Sequence, residues 1–169
     1  MKFDIPNLNL ESKKGGETYN PPEGWFGFGV KVKNEYKNDI LFNKNIVNQR
    51  KANAYYSFNG MTPRKILREL NKIINKGFTQ DMNNQPKCRC LDIRKKDMRV
   101  GTGIYLSPKI DFIESNTGMI CFNNKTYKIA LMVSVLADKI RQPDSNYWIL
   151  RREEIEINKI ILKEIHLDI

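Results

Sequence analysis

A chain of 169 residues, 40% apolar and 28% charged, is long enough for one buried core and short for two. Its formal charge of +10, from 29 Lys and Arg against 19 Asp and Glu, favours an anionic partner: nucleic acid, a nucleotide, a phospholipid surface or an acidic protein. Three cysteines exclude an even disulfide framework, and with the one histidine they offer no more than the bare four ligands of a closed zinc site.

Residues 1–23 are polar and end in Tyr19-Asn20-Pro21-Pro22, which reads as an irregular arm ahead of a single domain over 24–169. Trp25 to Val32 alternates and is rich in aromatic and β-branched residues, so it is a strand, with Gly27 and Gly29 pointing to a bulge or a close backbone approach. Tyr36 to Phe42 continues extended, and Ala54 to Phe58 forms the second strand. A helix follows from Pro63 to Lys76. Thr62 caps it, Pro63 takes the first helical position, Gly77 lies past its end, and Ile66, Leu67, Leu70, Ile73 and Ile74 share one face. Residues 79–102 make a long polar loop carrying Lys87, Arg89, Arg94, Lys95, Lys96 and Arg99. Gly103 to Pro108 is a short strand with a proline stop, and a short helix over Lys109 to Glu114 follows it. Strands at Gly118 to Phe122 and Thr126 to Leu136 flank an Asn123-Asn124 turn, and Tyr127, Ile129, Leu131, Val133 and Val135 share a face of the second. Tyr147 to Leu150 is a further strand, and Ile155 to Ile169 is a β-rich tail. One good helix among about seven strands is an α+β pattern, mainly antiparallel.

Few residues announce chemistry. The Cys88-x-Cys90 pair has only Cys121 and His166 to join it, so metal is not expected. His166 falls on the polar side of the terminal alternation and reads as a surface residue, which argues against Ser-His and Cys-His nucleophiles. Glu153, Glu154 and Glu156 offer paired carboxylates, but beside Arg151 and Arg152 they read as a solvated turn. Neither a phosphate loop nor a dinucleotide fingerprint is present, since Gly101-Thr102-Gly103 precedes a strand and not a helix. The basic loop with Tyr and Trp nearby suits single-stranded nucleic acid, although no RNP, KH or helix-turn-helix signature accompanies it. Met1 to Pro6 holds no signal-type apolar run, and no stretch approaches the roughly 20 apolar residues of a bilayer span. A cytoplasmic or nuclear setting with no membrane partner is the expectation.

Several segments taken in order resemble one family. They are Trp25 to Val32, Ser57-Phe58-Asn59-Gly60, Gly101 to Pro108 with its Gly-x-Tyr-x-Ser-Pro pattern, Tyr127 to Val135, and Asn146-Tyr147-Trp148-Ile149-Leu150 followed by Asn158 to Lys163. Their order and spacing are similar to the poly(ADP-ribose) polymerase class of ADP-ribosyltransferase catalytic domains, over roughly Trp25 to Lys163. The resemblance implies a split β-sandwich of two small, mainly antiparallel sheets with one main helix after the second strand, and NAD, as substrate, in the cleft between them.

Members of that family typically carry a His-Tyr-Glu triad. Here the three positions fall on Asn59, Tyr105 and Tyr147, so these are the catalytic candidates. By the same resemblance Asn59, Gly60, Tyr105 and Ser107 would line the NAD site, and the second aromatic that sandwiches nicotinamide would fall near Asn116. Asn59 can still hydrogen-bond a ribose hydroxyl, Gly60 permits close backbone approach, and Tyr105 offers a stacking face. Losing the Glu removes the carboxylate that would stabilise an oxocarbenium-like ribose and activate an acceptor hydroxyl. The implied activity is therefore mono-ADP-ribosyl transfer to a protein or nucleic-acid acceptor, with an anionic partner approaching through the basic 87–99 loop. The alternative is the same fold with decayed chemistry, serving as a nucleotide-, nucleic-acid- or protein-binding module. The branch of the superfamily that uses Arg, Ser-Thr-Ser and Glu-x-Glu fits poorly, because Glu154-x-Glu156 lies after the strand and no Ser-Thr-Ser strand exists.

Overall fold

The computed structural model describes residues 13–14, 17–18, 22–30, 50–78 and 103–166. Residues 31–49 and 79–102, and with them the predicted Tyr36 to Phe42 strand, Cys88, Cys90 and the basic loop, lie outside the described residues. Within the N-terminal arm, β1 (Lys13–Lys14) pairs antiparallel with β2 (Glu17–Thr18).

The architecture is mixed α+β, and every strand pairing is antiparallel. A five-stranded sheet contains β3 (Phe26–Gly29), β4 (Lys51–Ser57), β6 (Met119–Phe122), β7 (Lys125–Leu136) and β9 (Ile155–Ile165). Its order is β3-β9-β7-β4, and β6 also pairs with β7, beside the residues that β4 leaves free. A second sheet joins β5 (Ile104–Leu106) to β8 (Trp148–Leu150). The helices are α1 (Pro63–Lys76) and α2 (Ile110–Asn116).

Strand period sorts the core into two layers. Ile129, Leu131, Val133 and Val135 of β7 face one side, where they meet Ala54, Tyr56, Phe58, Ile66 and Ile73 of α1, and Ile104, Leu106 and Leu150 of the small sheet. Ala130 and Met132 face the other side, with Tyr55, Ile161, Trp25 and Ile113 of α2. The main sheet is thus sandwiched, with α1 and the small sheet on one face and α2 on the other. Full burial of each of Ile66 and Ile73 stabilises α1 against the sheet by about 1.5–3 kcal/mol.

Local chemistry sets the boundaries. Thr62 Oγ1 accepts from the Lys65 amide (3.4 Å) at the head of α1. At its tail Gly77, with φ 72°, donates its N–H to the Ile73 carbonyl (2.7 Å). Asn123 (φ 49°) and Asn124 (φ 60°) turn β6 into β7, as a two-residue hairpin with both central residues left-handed requires. Exposed pairs such as Lys125–Glu164 (2.9 Å) and Lys51–Glu156 (3.3 Å) add little to stability. The Glu164 carboxylate nevertheless raises the Lys125 pKa above its ordinary 10.5, chiefly through their hydrogen bond.

Three expectations are corrected. The bulge is not in β3, which pairs regularly with β9 from Phe26↔Leu162 to Gly29↔Lys159 and leaves open space around Gly29. It lies in β9, where Val133 pairs with Ile157 and Met132 with Lys159, so Asn158 is the extra residue. The sequence reason is an apolar alternation that breaks phase there: Ile155 and Ile157 before, Ile160 and Leu162 after, all on one face. The second strand begins at Lys51 and not Ala54, because Leu136 and Val135 of β7 pair with Lys51 and Ala52 despite their polar setting. The short helix runs to Asn116, past the predicted Glu114.

Candidate functional site

One residue pair joins the two sheets. Tyr55 and Ser107 exchange both backbone hydrogen bonds, Tyr55 N–H to Ser107 O (2.8 Å) and Ser107 N–H to Tyr55 O (2.9 Å). Beyond it β4 and β5 share no further pairing among the described residues. The small sheet is therefore tethered by its backbone at one corner and held elsewhere by Ile104, Leu106 and Leu150 in the core.

The opposite face of the small sheet carries Tyr105 and Ile149, which pair directly, with Tyr147 just before β8. The Tyr105 and Tyr147 rings meet edge to face with centroids 6.0 Å apart. Phe112, on α2, meets Tyr147 the same way at 5.1 Å. Contacts of this type are worth about 0.5–1.5 kcal/mol beyond burial. Tyr105 is only 6% exposed, whereas Tyr147 and Phe112 are half-buried. Ser107 is fully buried, and its Oγ accepts from the Lys109 amide (3.1 Å), turning the chain from β5 into α2. The structure thus brings together three of the predicted residues, Tyr105, Ser107 and Tyr147.

Asn59 and Gly60 form an exposed turn just after β4. Gly60 has φ 67° and open space where a Cβ would stand, so its conformation and not crowding calls for glycine. The turn is pinned from below by Thr117, at the end of α2. Its hydroxyl accepts from the Phe58 amide (3.1 Å) and donates to the Ile129 carbonyl. Gly118 closes the same contact: a Cβ there would lie 2.8 Å from the Phe58 carbonyl oxygen and 2.6 Å from Ile66 Cδ1. Thr117 and Gly118 therefore connect α2, which carries Phe112, to the turn that carries Asn59 and Gly60. Asn116 is half-buried and donates from Nδ2 to the Phe112 carbonyl (2.7 Å).

Charged groups border the aromatic face. Lys109 Nζ donates to Asn146 Oδ1 (3.1 Å) beside Tyr147. The carboxylate closest to Tyr147 in the chain, Asp144, accepts the Asn146 and Tyr147 amides on one oxygen (2.7 and 3.0 Å) and so shapes the turn into β8. Arg141 forms a two-bond antiparallel bridge with Ile149, at 2.8 and 3.3 Å. Its guanidinium reaches back to Gly103, where an added Cβ would lie 3.0 Å from Nη2, 2.6 Å from Ile149 Cγ2 and 2.9 Å from the Leu150 carbonyl oxygen. Only glycine fits that position.

The remaining candidates resolve as structural or solvated groups. Glu154 accepts the Arg151 amide (2.7 Å) and Glu156 pairs with Lys51. His166 is exposed. Cys121 is exposed, and no group of three or more His, Cys, Asp or Glu among the described residues is placed to hold a metal. No helix among them is long and apolar enough to cross a membrane. Phe112 is the site residue that the sequence reading missed; its signal was an aromatic in the short helix one turn before Asn116, where an aromatic was sought.

A scan against protein-family models finds no match for this chain. No curated protein matches it either.

Proposed function

We propose that the chain is an NAD-dependent mono-ADP-ribosyltransferase-like domain. The observation that carries the reading is the Tyr105–Tyr147 ring pair, one ring on β5 and the other just before β8, at a small sheet that meets the main sheet at one residue pair. Two antiparallel sheets joined at one residue pair, with the Gly-x-Tyr-x-Ser strand in one and the Asn59-Gly60 turn following a strand of the other, support that reading. In the reaction the bond from ribose C1′ to the nicotinamide nitrogen breaks, and nicotinamide departs with the bonding pair. An acceptor oxygen or nitrogen bonds to C1′ and gives its proton to water.

Each residue has a part that its chemistry allows. The Gly60 backbone and the Asn59 amide hydrogen-bond the nicotinamide ribose end, and Tyr105 supplies the stacking face. Tyr147 occupies the place of the family's Glu. A phenol near neutral pH is a weak general base, so chain elongation, which asks a carboxylate to polarise a ribose hydroxyl, is not supported.

A second reading, a binding module with decayed chemistry, is favoured by the 6% exposure of Tyr105. A ring seated on it must first displace the edge of Tyr147, at about 0.5–1.5 kcal/mol for the lost contact. Incubation with labelled NAD, with products resolved by size and NAD binding followed by calorimetry, separates the readings. Single ADP-ribose units on an acceptor are expected. Polymer would overturn the mono-transfer claim. Neither product nor NAD binding, even after Asn59→His with Tyr147→Glu, would leave the binding module.

A further inference from the structure

We propose that Arg141 is the recognition residue for the pyrophosphate of a dinucleotide seated on the Tyr105–Tyr147 face; this rests on the reading of that face as an NAD site. Tyr105, Ile149 and Arg141 form one cross-strand row, since Ile149 pairs with Tyr105 on one edge and with Arg141 on the other. Residues directly opposite in antiparallel pairs project to the same face. Arg141 is therefore on the aromatic face of the small sheet, not on the face that enters the core.

Its side chain then crosses back over the sheet. Nη2 lies 3.0 Å from the point where a Gly103 Cβ would stand, so the guanidinium covers the start of β5. Gly103 is two residues from Tyr105, about 7 Å along a strand. A cation one sugar's width from a ring-stacking tyrosine stands where the phosphates of a dinucleotide begin. The absent side chain at Gly103 leaves both the guanidinium and the backbone close to that position. Arg141 is exposed, so an anion reaches it without unfolding the sheet. A planar guanidinium suits two phosphate oxygens at once, which a lysine ammonium does not. Lys109, the cation at the other end of the face, donates to Asn146 past Tyr147 and lies on the side away from Gly103.

The test is calorimetric titration of the full chain with NAD and, separately, with nicotinamide, which has the ring and no phosphate. For Arg141→Gln, NAD affinity should fall about 10- to 100-fold while nicotinamide affinity stays unchanged. Arg141→Lys should fall between, and its kept charge guards against a result that reflects folding alone. Inorganic pyrophosphate should compete with NAD on the unaltered chain and lose that effect in Arg141→Gln. If NAD binds both proteins equally, the assignment of Arg141 is overturned and the NAD reading stands. If NAD and nicotinamide weaken together, Arg141 acts through the sheet and the assignment is also overturned. If the unaltered chain binds neither NAD nor nicotinamide, both fall.

Discussion

Replacing Thr117 with Val removes a hydroxyl and keeps the branched shape, so it isolates what the two hydrogen bonds at the end of α2 contribute. Phe58 is fully buried, and its amide donates to Thr117 Oγ1 at 3.1 Å. Losing that acceptor leaves a buried N–H unsatisfied, at about 1–3 kcal/mol. The Ile129 carbonyl loses one donor, at about 0.5–1.5 kcal/mol. Thr117→Ser keeps the hydroxyl and removes one methyl, worth at most about 0.8 kcal/mol and less at a half-buried position. The Val variant should therefore be less stable than the Ser variant by about 2 kcal/mol, or about 4–8 °C in Tm for a chain of this size. Equilibrium urea unfolding of both variants beside the unaltered chain measures the difference. The slopes should match, because the same surface is exposed on unfolding. A Val variant as stable as the Ser variant would show that the hydroxyl does not hold the Asn59–Gly60 turn, and the coupling of α2 to that turn would have to be abandoned.

Gly118→Ala should destabilise by about 1–3 kcal/mol by overpacking, since the new methyl meets the Phe58 carbonyl at 2.8 Å and backbone cannot swing aside as Ile66 Cδ1 can; thermal unfolding checks it. Glu164→Gln should lower the raised Lys125 pKa toward its ordinary 10.5, read by NMR titration of the side chain. The sign is that of a cation gaining a partner: the pair's stabilisation is present below pH 10.5 and fades as pH rises through the folded value, so the unaltered chain and the variant should converge in stability at high pH. Reversing Lys95 and Lys96 to Glu should slow association with an anionic partner such as single-stranded nucleic acid at low salt. The difference should vanish near 1 M salt, where the Debye length is about 3 Å; stopped-flow rates that ignore both salt and the substitutions would refute a steering role.

Elements whose rules are local were legible in the sequence. The helix Pro63–Lys76 was, because its cap, its proline and its glycine each act within one turn. So were the Asn123-Asn124 turn and the buried face of β7, which depend on two backbone angles and on period two. The Tyr105–Tyr147 contact was reached only through the resemblance, since nothing local brings together residues on either side of α2, β6 and β7. Lys51 to Asn53 were missed as strand because a partner, β7, and not their own propensity holds them extended. Phe112 and Arg141 were missed for a related reason. An aromatic on a short helix and an arginine in a polar stretch gain meaning only from a register that no single segment contains. The glycines at 27 and 29 do not mark a bulge in β3, because glycine permits a bulge without requiring one.

The bulge in β9 makes that strand unequal in its tolerance of length. Ile155 and Ile157 reach the core in one phase and Ile160 and Leu162 in the other, and Asn158 absorbs the slip. Deleting Asn158 would let Lys159 follow Ile157 directly, and every apolar side chain would keep its face. The deletion would also remove Asn158 Oδ1, a buried acceptor with no partner among the described atoms. Deleting Glu156 or Ile161 would instead throw one end of the strand onto the wrong face. A scan of single deletions along Ile155–Ile165 should therefore tolerate a gap at residue 158 or at its neighbour 159, and lose stability where Glu156 or Ile161 is removed.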